Sequence, residues 1–238
     1  MCGRYAQTAD MRELMEQFEV SGTAPQKSLP LNWNIAPTNP IYIVRGTSPD
    51  LATVSWGLIA PWLKTLVDAR NSQSRAINAR SESIFEKPTF KDAFRTTRCL
   101  IPASGYYEWA TALGKYPPKQ PFYISSKDDK QLPIAGIWSS WVGPSGEIIE
   151  TASIITQEAQ GQLEAIHSRM PVFMPKDRWQ QWLDPKENNV DRLKSMMVVE
   201  RPDLLLQARP VSHAVNSVAR NGKELTVETP LGEPETLF

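Results

Sequence analysis

The alternation of apolar and polar residues along the chain predicts many short strands and a few short helices. After Thr8, the residues Met11, Leu14, Met15 and Phe18 recur at helical spacing, which predicts a short helix with Thr8 as its N-cap. Residues 21–38 are rich in proline and polar side chains and are predicted to form a loop. Extended segments are predicted at 40–44, 51–58, 98–103, 105–110, 121–125, 133–139 and 151–156, and helices at 81–95 (interrupted by Pro88), 157–165, 176–184 and 190–197.

This order of elements favours an α+β fold over a doubly wound parallel sheet. The strands rarely alternate one-for-one with full helices, and the 20 prolines exceed the usual share of about 5%. We therefore expect a single domain with antiparallel sheets and short flanking helices. The last dozen residues, from Thr226 to Phe238, carry glutamate and proline with little periodicity and are predicted to be a loosely held tail.

Composition excludes several classes of protein. Lys plus Arg and Asp plus Glu both count 26, so no global positive field attracts nucleic acid, and such a site would depend on a few local arginines. Two cysteines provide no disulfide framework, and we find neither a signal peptide nor an apolar run long enough to cross a membrane. We expect a soluble, cytoplasmic protein with an ample core, since 41% of its residues are apolar.

Cys2 is the residue with the most distinctive chemistry. Removal of Met1 would leave an α-amine and a thiol on neighbouring carbons, and both titrate at about pH 8 to 8.5. Such a pair captures an aldehyde, because the amine forms an imine and the thiol then closes a five-membered thiazolidine. A cysteine near an N-terminus is also often a buried apolar residue, and the same opening occurs in amidohydrolases with an N-terminal cysteine nucleophile.

Glu108 and His167 are candidates for acid–base chemistry. Glu108 lies among aromatic residues in a strand pattern, where burial would raise the pKa of its carboxyl; the alternative is an ordinary solvent-facing glutamate. His167 precedes a proline-terminated polar segment that is typical of a loop at a cleft, although a lone histidine is more often structural. His167 and His213 are the two histidines of the chain and lack metal-ligand spacing, so we expect no metal site.

Asn78 and Arg80 form a polar pair. If the segment is extended, both side chains lie on the same face, where an amide and a guanidinium suit an oxygen-rich ligand. Ser81 as a helix N-cap is the alternative interpretation. The tryptophans of Trp33-Asn34 and of Trp56-Gly57-Leu58-Ile59-Ala60-Pro61-Trp62 could stack on unpaired bases, but taken singly they are as well explained as core residues.

Taken in order, these short motifs resemble the SOS response-associated peptidase family over residues 1 to about 222, which leaves 223–238 as a C-terminal tail. The residues that carry the resemblance are Met1-Cys2-Gly3-Arg4, Asn34-Ile35-Ala36-Pro37-Thr38, Trp56-Gly57-Leu58-Ile59, Ile77-Asn78-Ala79-Arg80-Ser81-Glu82, Arg98-Cys99-Leu100-Ile101-Pro102, Gly105-Tyr106-Tyr107-Glu108-Trp109, His167-Ser168-Arg169-Met170-Pro171, and Pro210-Val211-Ser212 with Val215-Asn216. The resemblance implies one α+β domain with barrel-like antiparallel sheets.

It also implies a DNA-repair protein that recognises abasic sites in single-stranded DNA and forms a thiazolidine cross-link through Cys2 after Met1 is removed, either by the protein itself or by another enzyme. By the same resemblance Cys2 is the nucleophile, Asn78 positions the N-terminus and the sugar, Glu108 is the acid–base, and His167 is a second polar group at the lesion. The amidohydrolase remains the alternative.

Contacts to DNA are expected from Arg4, Arg80 and Arg169 at phosphates, with Asn34 and Trp62 beside them. Ser168 stands where the family commonly has an acidic residue or histidine, so Arg169 is expected to lack an adjacent partner. We expect a monomer that needs no cofactor.

Overall fold

The computed structural model describes residues 2–111, 116–117 and 119–231. One sheet has five strands in the order β12, β8, β7, β1, β2, and each neighbouring pair is antiparallel. Its strands are β1 (Arg4–Gln7), β2 (Asn32–Ile35), β7 (Gly105–Trp109), β8 (Pro121–Ser126) and β12 (Leu206–Pro210). The strand that begins at Arg4 is therefore an interior strand of its sheet, with a neighbour on each side.

The second sheet closes on itself. Its strands are β3 (Pro40–Arg45), β4 (Asp50–Trp56), β5 (Asn78–Arg80), β6 (Arg98–Ala103), β9 (Leu132–Val142), β10 (Ile148–Glu158) and β11 (Arg169–Pro171). The order β10, β4, β3, β6, β9 returns to β10, since β10 pairs with both β4 and β9. The α+β, barrel-like prediction is confirmed, with one refinement: β10 pairs in parallel with β4 and β5.

The apolar run in β3 explains how the core is divided. Ile41 and Ile43 pack between the two sheets, in the same cluster as Tyr5, whereas Tyr42 and Val44 pack in a second cluster on the other face. Because successive strand residues point to opposite faces, a strand buried on both faces must be apolar at every position. The helices α1 (Met11–Gln17), α3 (Lys91–Thr96), α4 (Trp179–Leu183) and α5 (Val190–Met197) contribute to that second cluster.

The N-cap of α1 differs from the prediction. Asp10 caps the helix by accepting from the backbone N–H of Glu13, and the Glu13 side chain accepts in return from the N–H of Asp10. This reciprocal capping box satisfies two backbone donors, which a threonine two residues earlier cannot do. Thr8 instead donates its hydroxyl to Ser104 at 2.9 Å.

Several predicted elements change type or length. The predicted loop at 21–38 contains β2, and the predicted helix at 81–95 is a series of turns before α3. The helix predicted at 157–165 is a 3-10 helix, Gly161–Ala165, because β10 extends to Glu158. Pattern analysis missed α2 (Leu66–Arg75), which is mostly polar, the short strands β1 and β11, and the edge strand β12.

Gly57 makes the turn after β4 possible. Its φ is 109°, and a Cβ there would lie 2.2 Å from the carbonyl oxygen of Gln73, so any other residue would be strained and would clash. Its N–H donates to the carbonyl of Ala152 in β10 at 2.7 Å. The Trp-Gly motif therefore closes the seam between β4 and β10.

The first part of the predicted tail packs against the domain. A 3-10 helix at Lys223–Thr226 buries Leu225 completely, and Glu228 forms an isolated antiparallel bridge with Val211. The remainder, residues 232–238, lies outside the described residues. The boundary at 222 stays a prediction.

Candidate active site

Strand register brings the start of the chain to Glu108. In the antiparallel β1–β7 pair, Arg4 lies opposite Tyr107 and Tyr5 opposite Tyr106. Each step toward the N-terminus on β1 moves one residue toward the C-terminus on β7, so continuation of this register carries Cys2 to the end of β7 where Glu108 and Trp109 lie. Two segments that are far apart in the chain thus meet because they are neighbours in one sheet.

Asn78 reaches the same place from the other sheet. It begins β5, which pairs in parallel with β10 through Ile154, and its Nδ2 donates to the backbone carbonyl of Cys2 at 2.8 Å. Its Oδ1 is buried and makes no hydrogen bond within the described part of the chain. The amide therefore fixes the backbone of Cys2 while keeping one acceptor for another donor.

Glu108 is the carboxylate of the site. Its residue is only 2% exposed, which excludes the solvent-facing alternative. Burial disfavours the charged form and raises the pKa of Glu108 to about 7. Both the acid and the carboxylate are therefore populated near neutral pH, as a group that gives and takes protons requires.

His167 faces Glu108 from the segment between the Gly161–Ala165 helix and β11. Its Nε2 lies 3.9 Å from Oε2 of Glu108, and its Nδ1 accepts from the backbone N–H of Arg169 at 3.0 Å. Because Nδ1 is the acceptor, the neutral ring carries its proton on Nε2, toward the carboxylate. Partial burial lowers the pKa of His167, which favours this neutral form at pH 7.

Cys2 completes a group that we call the reactive cluster: Cys2, Asn78, Glu108 and His167. Its side chain is fully buried, and burial, followed by the charge of Glu108, raises the pKa of its thiol well above the ordinary value. Burial raises the pKa of Tyr5 and Tyr106 too, and the thiol itself contributes to both shifts. The thiol is therefore protonated at neutral pH, and its reaction with an electrophile requires a base.

Arg4 is held by internal contacts. Its Nη1 donates to Oδ1 of Asn34 at 2.8 Å and to the carbonyl of Val215 at 2.9 Å. Asn34 is only 3% exposed, and its Nδ2 donates to the carbonyls of Val215, Ser217 and Arg220. In this arrangement Asn34 braces Arg4 and the 215–220 segment. Contact of Arg4 and Asn34 with DNA stays a prediction.

Arg169 has a partner that sequence analysis missed. Its guanidinium makes two hydrogen bonds to the Glu82 carboxylate, at 2.7 and 2.9 Å, and another to the carbonyl of Thr156 at 2.8 Å. Glu82 supplies from a distant part of the chain the charge that Ser168 does not supply locally, and hydrogen bonds from Arg169 help to lower the pKa of Glu82 against its partial burial. Glu82 lies in the turn that follows β5, where strand alternation no longer applies, so the local sequence gives no signal for this pair.

Arg80 and Trp62 are the exposed members of the predicted set. Arg80 ends β5 beside Thr156, and its side chain is exposed. Trp62 is 53% exposed on the turn between β4 and α2. The other two tryptophans of the motifs are less accessible: Trp56 is fully buried and Trp33 packs against a core cluster. Of the predicted DNA contacts, Arg80 and Trp62 are therefore the ones most available to a ligand.

A separate cavity lies away from the reactive cluster. It measures about 530 Å³, and we call it the apolar cavity; its lining includes Phe173, Trp179, Leu205 and Leu206. Its described lining residues contain no cysteine, no histidine and no member of the reactive cluster. The described residues also contain no group of three or more His, Cys, Asp or Glu side chains able to hold a metal ion.

Comparison with known proteins assigns the family. The family model for SOS response associated peptidase (SRAP) matches residues 1–218. The chain belongs to this family. SRAP relatives of known name include abasic site processing protein YoqW of Bacillus subtilis (strain 168), 34% identical over 227 residues, with 94% of this chain and 98% of that protein covered. Abasic site processing protein HMCES of Gallus gallus is 32% identical over 206 residues, with 78% of this chain and 59% of that protein covered.

Solved structures agree on the SRAP fold. A protein from Bacteroides thetaiotaomicron superposes with a TM-score of 0.84 at 24% identity, covering 96% of this chain and all of that one. A phage-related protein from Bordetella bronchiseptica superposes with a TM-score of 0.64 at 28% identity, covering 88% of this chain and 94% of that one. No helix in the described ranges is both long and apolar enough to span a membrane.

Proposed function

We propose that this protein processes abasic sites in DNA and captures them as a covalent thiazolidine cross-link through Cys2. The observation that carries the proposal is the convergence of the reactive cluster: Asn78 holds the backbone of Cys2, the charge of Glu108 acts on the thiol, and Glu108 lies 3.9 Å from His167. SRAP membership and relatives named for abasic site processing support the substrate. Single-stranded DNA is the proposed form, since its sugar enters a closed site without a duplex to unpair.

Formation of the cross-link requires a free amine on Cys2, so Met1 is removed first. We assign this cleavage to the protein's own site: water adds to the Met1 carbonyl, the bond between that carbon and the Cys2 nitrogen breaks, and methionine and the free α-amine are released, while Asn78 holds the backbone of Cys2 through its carbonyl. The amine then adds to the C1′ aldehyde of the ring-opened deoxyribose, and loss of water gives an imine. The S–H bond adds across the imine: sulfur bonds to C1′ and the proton goes to nitrogen. One water is released overall, and no oxidant or reductant is needed.

Glu108 is the proposed proton carrier for these steps. As a carboxylate it accepts the thiol proton, which the raised pKa of Cys2 makes hard to lose to water. As an acid it protonates the hydroxyl that leaves as water. His167, with its proton on Nε2, assists by donating a hydrogen bond to the sugar hydroxyl that appears on ring opening.

Arg80 is the main proposed phosphate contact, since its side chain is exposed and it lies two residues from Asn78 on the same face of β5. Arg4 and Arg169 lie beside the cluster with much of their hydrogen-bonding capacity used internally, so we propose that they orient the site and contribute charge. Trp62 is proposed to stack on a base next to the lesion. A few local cations then suffice despite a net charge of zero.

Intact-mass measurement tests the proposal directly. The full chain is mixed with a single-stranded oligonucleotide that carries one abasic site. We expect a species equal to the chain without Met1 plus the oligonucleotide minus one water, stable to denaturation. An adduct that retains Met1, or an equal adduct with Cys2→Ala, would refute the thiazolidine. The amidohydrolase alternative predicts glutamine hydrolysis and no lasting adduct in the same sample.

A further inference from the structure

Two three-residue strands carry the two halves of the reactive cluster. β5 begins with Asn78, and β11 begins two residues after His167. Thr156 of β10 pairs with Arg80 of β5 and with Pro171 of β11, so the two short strands lie on opposite sides of β10. Strands separated by one neighbour are about 10 Å apart and share no backbone hydrogen bonds. The relative position of the two halves therefore depends on β10 and on side chains that cross it.

The side chain of Arg169 crosses β10 in this way. Arg169 is the first residue of β11 and lies opposite Glu158, the last residue of β10. The carbonyl of Thr156 accepts from the backbone N–H of Ser81, just after β5, and also from Nη2 of Arg169, both at 2.8 Å. Because that carbonyl points toward β5, the guanidinium reaches it from β11 by lying over β10. Beyond it, the guanidinium donates two hydrogen bonds to the carboxylate of Glu82, in the turn after β5.

The geometry of the Arg169–Glu82 pair is that of a fixed contact. The side chain of Arg169 is 12% exposed and that of Glu82 is 47% exposed. An isolated surface ion pair contributes little to stability, but two parallel hydrogen bonds between a guanidinium and a carboxylate add orientation as well as energy. Although partial burial raises the pKa of Glu82, the hydrogen bonds from Arg169 help to bring it below its ordinary value. The pair is therefore ionised at neutral pH and has one defined orientation.

Arg169 also holds the ring of His167. Its backbone N–H donates to Nδ1 of His167 at 3.0 Å, which leaves the ring proton on Nε2, the atom that lies 3.9 Å from Oε2 of Glu108. A displacement of Arg169 would move this N–H and rotate the ring. We infer that Glu82 is a positioning residue of the reactive cluster, which acts through Arg169 on the orientation of His167. Because Glu82 follows the strand that carries Asn78, the pair ties the two halves of the cluster together. The effect of Glu82 on cross-linking rests on the proposed function.

NMR of the histidine rings tests the positioning without DNA. The sequence has two histidines, so His213 serves as an internal reference for His167. Glu82→Gln keeps the size of the side chain but loses its charge and one acceptor. At pH 8, where the His167 ring is neutral, we expect its two nitrogens in this variant to shift toward a mixture of tautomers, with His213 unchanged. Glu86→Gln alters an exposed glutamate in the same series of turns and should leave both rings unchanged.

Melting temperatures verify that each variant is folded. If Glu82→Gln is not, Arg169→Lys replaces it, because lysine keeps the charge but cannot bind both carboxylate oxygens in the parallel geometry of a guanidinium. An unchanged His167 spectrum in the folded variant overturns the inference, as does an equal shift in Glu86→Gln.

Single-turnover cross-linking at saturating abasic single-stranded DNA tests the consequence for the reaction. Saturation removes any change in DNA affinity, so we expect Glu82→Gln to react about tenfold more slowly, the effect of one oriented hydrogen bond, and Glu86→Gln to match the unmodified chain. An equal or faster rate in Glu82→Gln overturns the inference. Failure of every chain, the unmodified one included, to cross-link would refute the proposed function, while the histidine spectra would still decide whether Glu82 positions His167.

Discussion

The reactive cluster and the apolar cavity differ in their chemistry. The cavity offers about 530 Å³ lined by groups such as Trp179 and Leu205. The cluster has a fully buried thiol and a carboxyl that is 2% exposed, and the pKa values of both are raised. Volume indicates where a ligand fits, but perturbed proton affinity indicates where chemistry occurs. Under the proposed function, chemistry occurs at the buried titratable groups, and the apolar cavity, whose described lining shares none of them, takes no part in it.

The largest expected effect comes from removing the nucleophile. Cys2→Ala is expected to abolish the denaturation-resistant adduct with abasic single-stranded DNA, because no sulfur remains to close the ring. Denaturing gels and intact mass measure the loss. Leu205→Ala, in the apolar cavity, is the matched change and should leave the adduct unchanged; if it abolished the adduct as well, the contrast between the two regions would be lost.

Glu108→Gln tests the reactive cluster through the pH dependence of adduct formation. The pKa of Glu108 is raised to about 7, so its basic form disappears as pH falls through about 7. Adduct formation by the unmodified chain should therefore accelerate from pH 6 to 8, whereas Glu108→Gln should be slower by about 10²-fold and lack this inflection. Glu16→Gln in the apolar cavity serves as control. Identical profiles for the two variants would argue against proton transfer by Glu108.

Asn78→Ala tests whether the cluster must be held in place. Loss of the 2.8 Å hydrogen bond to the carbonyl of Cys2 should slow cross-linking about tenfold, since one oriented hydrogen bond is removed. Asn78→Asp keeps the size of the side chain but removes the NH₂ donor, and should be similarly slow. Single-turnover rates at saturating DNA give the comparison. Full activity in Asn78→Asp would show that the donor is dispensable.

Arg80→Ala should have the smallest effect. If Arg80 neutralises one phosphate, its loss weakens binding and reduces the slope of log K against log salt by about 0.7, the value for single-stranded DNA. Fluorescence anisotropy at several salt concentrations measures this slope. Arg178→Ala is a suitable control because Arg178 is engaged with the carbonyls of Met196 and Val198, beyond the cluster. An unchanged slope in Arg80→Ala would remove Arg80 from the phosphate contacts.

Local patterns predicted the strands well because most are apolar on one or both faces. β3 and β6 are buried along nearly their whole length, and their apolar runs are visible in the sequence. α2 was missed because it is largely polar, with only Ala69 and Gln73 buried, so it has no apolar stripe to detect. β2 was hidden by the proline-rich surroundings, and its pairing with β1 depends on residues far away in the chain.

In the candidate site, too, local patterns do not predict contacts between residues that are far apart in the chain. The sequence left two interpretations open for Glu108 and for the Asn78–Arg80 segment, and the structure supports a buried Glu108 and an extended segment with Asn78 and Arg80 on one face. The partnership of Arg169 with Glu82 spans 87 residues and forms only because β10 pairs with both β5 and β11. Local spacing carries no information about such a pair. The roles of these residues in reaction stay predictions until they are tested.

The interior position of β1 has a practical consequence. A peptide fused ahead of Cys2 would turn its nitrogen into an amide and would have to leave from the middle of a five-stranded sheet, past β2 and β7. Purification handles therefore belong at the other terminus. Because Cys2 is fully buried in the folded chain, reagents that label free N-terminal cysteines, such as cyanobenzothiazoles, would report on the unfolded chain the fraction of molecules that has lost Met1, as the proposed function requires.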